Sequence, residues 1–300
     1  MGKKSILVTG ANGLLGQKIV NQLKTREDVE LIATSKGDNR RRVQDFLYES
    51  LDITSKKAVE EIMSRYKPDV VINTAAMTNV DACEEQMESC WKINVTAVDY
   101  LLEASIKHQS HLIHLSTDFV FDGKNGPYKE TDVPNPLSHY ANSKLASEEL
   151  ILTSDYKKTA IARTIIVFGT GDNLSRGNLV LWAKGALEKQ TPINVVDDQF
   201  RAPTLAEDLA KGCVLMAEKN ATGIYHLSGP ETMSILEIVK RIGLFYNMST
   251  DCVTPIKTFT LNQTAARPPK TGFVIDKAKE ELGYSPLTLE EALAFLAEQI

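Results

Sequence analysis

SILVTGANGLLGQKIVNQLK, residues Ser5 to Lys24, decides how the rest of the chain is read. A short apolar run ends at Gly10, and an amphipathic helical pattern begins at Leu14. Between them GANGLLG places glycines at Gly10, Gly13 and Gly16. Gly10 permits a tight turn, and Gly13 lets the backbone approach a pyrophosphate seated at the positive end of the helix dipole. Gly16 lets the helix pack close to the sheet. Asn12, Leu14 and Leu15 lie in the same loop and join the glycines as expected cofactor contacts. A glycine triplet alone says little; one that follows a first strand and opens a helix is a dinucleotide-binding signature.

The pattern repeats outward from that loop. VELIATS, DVVINTAA and HLIHLST read as further buried strands, separated by helical stretches such as AVEEIMSRY and Trp91 to His108. Nearly continuous apolar strands between amphipathic helices are what a parallel sheet covered on both faces requires. The expected fold is therefore α/β, a Rossmann-like doubly wound parallel sheet. After TAIARTIIVFG the alternation loosens and prolines punctuate the chain. Residues 1–165 are expected to form the dinucleotide-binding domain, with about 193–222 returning to it. Residues 166–300 would supply mainly a smaller mixed α/β substrate lobe.

Composition removes several classes. The 300 residues carry 34 Lys and Arg against 39 Asp and Glu, a net charge of −5, with 43% hydrophobic content. That is enough apolar material for a core, so disorder is not expected. The acidic balance argues against a nucleic-acid partner held by counterion release. No apolar run approaches a membrane span, and the N-terminus lacks a signal-peptide pattern. Four cysteines are too few for a disulfide scaffold, and five histidines show no ligand spacing, so free thiols, no metal and a cytoplasmic setting are expected.

The second strand bears on the cofactor. A ribose-binding carboxylate is expected at its end, yet the chain reads Ala33-Thr34-Ser35-Lys36, with no acid until Asp38 and three arginines at 40–42. Hydroxyl and cationic groups suit a 2′-phosphate, so Ser35, Lys36 and Arg40 point to NADPH, with NADH the alternative. Farther on, SHYANSK holds Tyr140 and Lys144, four apart and so on one helix face. A cation beside a phenol lowers its pKa toward neutrality. Thr117, in STDFVFDG, supplies a hydroxyl to polarise a carbonyl. Tyr140 is then the proton donor, and Lys144 its tuner.

The G-x-x-G-x-x-G spacing resembles the extended branch of the short-chain dehydrogenase/reductases. Within it AAMTNVDACE, STDFVFDG, GPYKETDVPNPLSHYANSKLASE, DDQFRAPTLAEDLA and RPPKTGF resemble the dTDP-4-dehydrorhamnose reductase family along nearly the whole chain. The resemblance implies NADPH-dependent reduction of the C4 ketone of a dTDP-linked 6-deoxyhexose, giving dTDP-L-rhamnose. It makes Leu51-Asp52-Ile53 a short adenine-binding strand, with Asp52 accepting from the adenine amino group. Asn73 to Ala76 becomes a cofactor wall in which Ala75 and Ala76 allow close approach. Thr78, Val80 and Asp118 would border the sugar, and Asn178 and Arg201 would face the nucleotide side. Arg201 and Arg267 read either as diphosphate clamps or as surface ion-pair partners.

Four positions depart from the family. Met77 and Phe119 stand where it has Tyr, Ile166 where it has Trp, and Arg201 where it has Gly. The apolar replacements leave room for a reductase of another ketone. A non-catalytic NADP-binding regulatory subunit, like the related methionine adenosyltransferase β subunit, is a third reading, against which Thr117, Tyr140 and Lys144 together argue. A nucleotide sugar is the expected partner, and a homodimer stays open.

Overall fold

Strands that are apolar on both faces go to the centre of a sheet, because neither face meets water. The computed structural model describes residues 2–175 and 177–300. Its main sheet is built from β1 (Lys4–Thr9), β2 (Val29–Ser35), β3 (Leu47–Ser50), β4 (Val70–Asn73), β5 (His111–Thr117), β6 (Thr159–Thr164) and a last strand, Gly223–His226. All pair in parallel, in the order last strand, β6, β5, β4, β1, β2, β3. VELIATS and HLIHLST coincide with β2 and β5. The strand order reverses between β1 and β4, which opens a crevice beyond their carboxyl ends.

The helices are α1 (Leu14–Leu23), α2 (Lys56–Tyr66), α3 (Val80–Glu85), α4 (Met87–Trp91), α5 (Ala97–His108), α6 (His139–Thr153), α7 (Leu179–Glu188), α8 (Ala206–Glu218), α9 (Ile235–Phe245) and α10 (Leu289–Ala297). Alternation along β1 sends Ile6 and Val8 to one face, against α1 and α8, and Leu7 to the other, against α2 and α5. Each such side chain, fully buried, contributes about 1.5–3 kcal/mol relative to exposure. A third core joins α7, α9 and α10 through Leu187, Ile242 and Leu293.

Two expectations change. The strand read at Leu51–Ile53 lies earlier, at Leu47–Ser50 on the sheet edge, and Leu51 and Ile53 turn inward as core. The single helix read from Trp91 to His108 is divided: α4 ends at Trp91, and a π-helical turn, Lys92–Thr96, precedes α5. Within 193–222, α8 packs on α1 beside the main sheet, whereas Ile193–Val196 pairs with Val253–Ile256. The strand that rejoins the main sheet is Gly223–His226. A small sheet, with Phe200–Arg201 between Met233–Ser234 and Lys270–Thr271, closes in beside the crevice. Cys83, Cys90, Cys213 and Cys252 are all free thiols. Among the described residues no helix is long and apolar enough to cross a membrane.

Candidate functional site

The glycine loop turns at Gly10, whose φ of +70° only glycine adopts freely. Its carbonyl accepts the Gly13 amide at 2.8 Å, which closes the turn against α1. A Cβ on Gly16 would stand 2.2 Å from that same carbonyl oxygen, so helix and loop touch backbone to backbone. Gly13 is the N-cap of α1, and no side chain caps the helix there. Its positive end is thus left for an anion. Across the crevice, a Cβ on Gly10 would meet Thr74 Oγ1 at 2.7 Å and the Ala75 amide at 2.8 Å. That close fit is the reason small residues follow β4. Ala75 leans on the core, and Ala76 lines the crevice.

Asn12 braces the loop rather than only facing a ligand. Its amide donates to the Asp38 carbonyl at 2.9 Å and accepts the Arg40 amide at 3.0 Å. Arg40 keeps its side chain exposed, whereas Arg41 is buried and spent on Gln17, Asn21 and Asp172. Ser35 ends β2 opposite Ser50. Lys36 and Asp52, expected to serve different parts of a cofactor, are ion-paired at 2.8 Å. Burial works against the Asp52 carboxylate, but the Lys36 ammonium and Thr54 outweigh it and hold the carboxyl down at about 2. Lys36 is 79% exposed, so the pair can open toward a bound anion at little cost. Ile53, the next residue, is buried among the core side chains.

The reacting groups gather in a crevice of about 670 Å³, which also receives Asn12 to Gly16. Ser138 caps α6 by accepting the Ala141 amide at 3.2 Å, which starts the helix just before Tyr140. Tyr140 and Lys144 then point the same way, and both are buried. Thr117 ends β5 and donates to Asp118 Oδ1 at 3.1 Å. Burial pushes the Tyr140 phenol above its ordinary value, with the Thr117 hydroxyl opposing. The expected lowering by Lys144 is absent, for a geometric reason: Lys144 Nζ turns to His114 Nε2, 3.0 Å away. Burial lowers Lys144 itself to about 8. Tyr140 therefore rests protonated, the form a proton donor needs.

Thr78, Val80, Phe119 and Ile166 also line the crevice. Val80, Met77 and Phe119 pack around Tyr140, with the Phe119 ring edge-on to it at 6.1 Å. Ile166 sits at φ +33°, a conformation β-branched residues avoid, and is presented to the crevice by it. Asp118 is buried and accepts from the hydroxyls of Thr117 and Thr271; burial pushes its carboxyl up, with Arg201 opposing.

Arg201 lines the crevice but is neither exposed nor free. Its guanidinium donates to the carbonyls of Phe200, Pro268 and Pro269, lies over the Phe119 ring and stands 3.8 Å from Asp118. The surface ion-pair alternative is thus corrected, and a clamp would have to use the few donors left. Arg267 does form an ion pair, two-pronged, with Asp81. Asn178 caps α7, accepting the Leu181 amide, while lining the crevice.

Four polar residues escaped the sequence reading. His114 holds Lys144. Asn94, in the π-helical turn, exchanges hydrogen bonds with the Met77 backbone and donates to Ser143. Ser116 and Thr164 line the crevice, and their hydroxyls are buried with no hydrogen-bond partner among the described residues. Only the odd spacing of His114 from Thr117, which puts it on the α6 face of β5, could have flagged the first. Among the described residues no group of three or more His, Cys, Asp or Glu is placed to hold a metal.

Comparison with known proteins adds to this geometry. The family described as RmlD substrate binding domain matches residues 4–300. The dTDP-4-dehydrorhamnose reductase of Aggregatibacter actinomycetemcomitans is 34% identical, over 96% of this chain and 96% of that one. Methionine adenosyltransferase 2 subunit beta of Danio rerio is 31% identical over 88% of this chain and 81% of its own. The crystal structure of dTDP-4-dehydrorhamnose reductase from Bacillus anthracis in complex with NADP is 27% identical and superposes with a TM-score of 0.86, covering 99% of this chain and 100% of that one.

Proposed function

The chain belongs to the RmlD substrate binding domain family, and from that premise we propose that it is an NADPH-dependent reductase of the C4 ketone of a nucleotide-linked 6-deoxyhexose. The best-fitting substrate is dTDP-4-dehydro-L-rhamnose, reduced to dTDP-L-rhamnose. The observation that carries this reading is the meeting of Thr117, Tyr140 and Lys144 with the glycine loop in one crevice at the reversal of strand order.

The residues fit the cofactor. A close backbone cradle at Gly10, Gly13 and Gly16, an uncapped helix start and the partnerless hydroxyls of Ser116 and Thr164 suit a dinucleotide. Ser35, Lys36 and Arg40 would take the 2′-phosphate. NADPH bound there supplies the hydride that reduces the carbonyl carbon. Tyr140 gives its phenolic proton to the carbonyl oxygen, and Thr117 swings its hydroxyl from Asp118 to the same oxygen. Lys144 keeps a positive charge near the phenolate left behind. The lobe drawn mainly from 166–300 would hold the nucleotide end, with Asn178 and Arg201 lining that side. This resting proton on Tyr140 suits reduction rather than oxidation.

A second reading is supported by Met77, Phe119 and Ile166, which make the sugar side more apolar and favour a ketone with an apolar substituent. Loss of NADPH absorbance with dTDP-4-dehydro-L-rhamnose, prepared enzymatically, tests the first. Turnover supports it. Tight NADPH binding without turnover of that sugar transfers the weight to another ketone or to a binding subunit.

A further inference from the structure

Behind the crevice a row of buried polar side chains crosses the middle of the sheet. Thr9, Asn73 and His114 are register partners on β1, β4 and β5. The Thr9 hydroxyl donates to Asn73 Oδ1 at 2.6 Å, and the Asn73 amide nitrogen is 3.0 Å from His114 Nδ1. His114 Nε2 in turn lies 3.0 Å from Lys144 Nζ and 3.1 Å from Ser147 Oγ, which donates to the Lys144 carbonyl. All of these side chains except Ser147, which is itself buried, come from the centre of the sheet or from the reacting face of α6. Apolar side chains such as Val or Leu would fill these three positions at less cost, because buried polar atoms must each be satisfied. The row ends on the lysine of the crevice.

We propose that His114 is a positioning residue for the reduction: it holds the Lys144 ammonium and, through Asn73, fixes it to Thr9, the residue next to the Gly10 turn. The proposal rests on the reductase reading above. An ammonium has donors only. With Lys144 charged, Nε2 must offer its lone pair, the ring proton sits on Nδ1, and the Asn73 amide turns its oxygen to the ring and its nitrogen to Thr9. The amide as it stands, nitrogen toward the ring, matches an uncharged Lys144. The row thus has a complete set of hydrogen bonds for each state, and His114 stays neutral in both, since burial and the nearby ammonium push it well down.

The other groups facing Lys144 are few. Glu148, one turn along α6, is buried and bound two-pronged to Arg163 of β6. From α4 comes Cys90, whose thiol lies on Ser143. Burial lowers Lys144, and Glu148 and Cys90 oppose it.

The test replaces the acceptor in the full-length protein. In His114→Leu the Lys144 ammonium loses its partner but not its burial, so its titration midpoint should fall by about one pH unit. Lysine-labelled NMR reads that midpoint directly, with the resonance assigned by its loss in Lys144→Met. In His114→Gln the side-chain oxygen reaches the same place, and the midpoint should return. kcat should fall about ten- to a hundredfold in the Leu variant with KM for the nucleotide sugar little changed. The alkaline limb of kcat/KM should move with the NMR midpoint, and Gln should restore both. If His114→Leu does not fold, His114→Phe keeps a ring without an acceptor and takes its place. An unchanged or raised midpoint, or an intact kcat at a lowered one, overturns the proposal. Wild type without turnover defeats the reductase reading instead, and the titration still decides the role of His114.

Discussion

Gly13 and Gly16 sit in one loop, yet a single added methyl should fail at the two for different reasons. At Gly16 the new carbon would lie 2.2 Å from the Gly10 carbonyl oxygen and 2.8 Å from Ala11 Cα. Comfortable separations are about 3.5 Å or more, so α1 must retreat from the loop by about 1 Å, and both obstacles are backbone. Overpacking of this kind costs about 1–3 kcal/mol, and a rigid obstacle puts it at the upper end. For a chain of this size that lowers Tm by about 4–10 °C. At Gly13 the methyl meets only the Gly10 oxygen, at 3.2 Å, and φ of −79° suits any residue. Gly13→Ala should hold stability within about 1 kcal/mol of wild type. Its methyl instead occupies the start of α1, where a pyrophosphate must approach, so NADPH affinity should fall about tenfold or more, about 1.4 kcal/mol. Thermal melts without cofactor, paired with NADPH titrations, separate the two effects. A Gly16→Ala protein that melts like wild type, or a Gly13→Ala protein that binds NADPH like wild type, would refute the assignment of these glycines.

The other expectations are shorter. Tyr140→Phe should lower turnover by about 10²–10⁴, the worth of a positioned general acid, while NADPH binding persists; full activity would remove Tyr140 from the chemistry. Glu148→Gln leaves the fully buried Arg163 without its counter-charge, and denaturant melts should show a loss of about 3–5 kcal/mol. A loss below about 1 kcal/mol would mean the pair is dispensable. Lys144 titrates at about 8 when folded, below the ordinary 10.5. Between those values the unfolded chain binds more protons, so this residue's contribution to stability is least favourable below pH 8 and improves as pH rises to 10.5. Wild type should therefore gain stability relative to Lys144→Met across that window, and a flat difference would contradict the depressed value.

What the sequence shows and what it hides divides along physical lines. The glycine loop was legible because backbone geometry leaves no substitute for glycine there, and β2 and β5 because buried parallel strands need unbroken apolar runs. Leu51–Ile53 looks more strand-like than LYES, the true β3, because β3 is an edge strand that leaves Leu47 and Ser50 exposed and only half-buries Tyr48 and Glu49. The Lys36–Asp52 pair comes from the β2–β3 register, which brings Ser35 beside Ser50; nothing in either local stretch announces it. Tyr140 and Lys144 are legible from helical spacing, but the direction of the lysine depends on His114, thirty residues earlier on β5. From its sequence neighbours alone, Arg201 reads either as a clamp or as a surface partner. Its burial against proline carbonyls follows from a small sheet of two-residue strands, too short to leave a periodic signal.

Direct hydride delivery to a sugar ketone in this crevice is the step on which the reductase reading depends. NADPH carrying deuterium at C4 of the nicotinamide, incubated with the protein and dTDP-4-dehydro-L-rhamnose, tests that step at the bond that forms. Deuterium should appear at C4 of the hexose in dTDP-L-rhamnose, and should be absent from it with Tyr140→Phe over the same time. A hexose that is reduced without deuterium, or that stays a ketone while NADPH remains tightly bound, would contradict it.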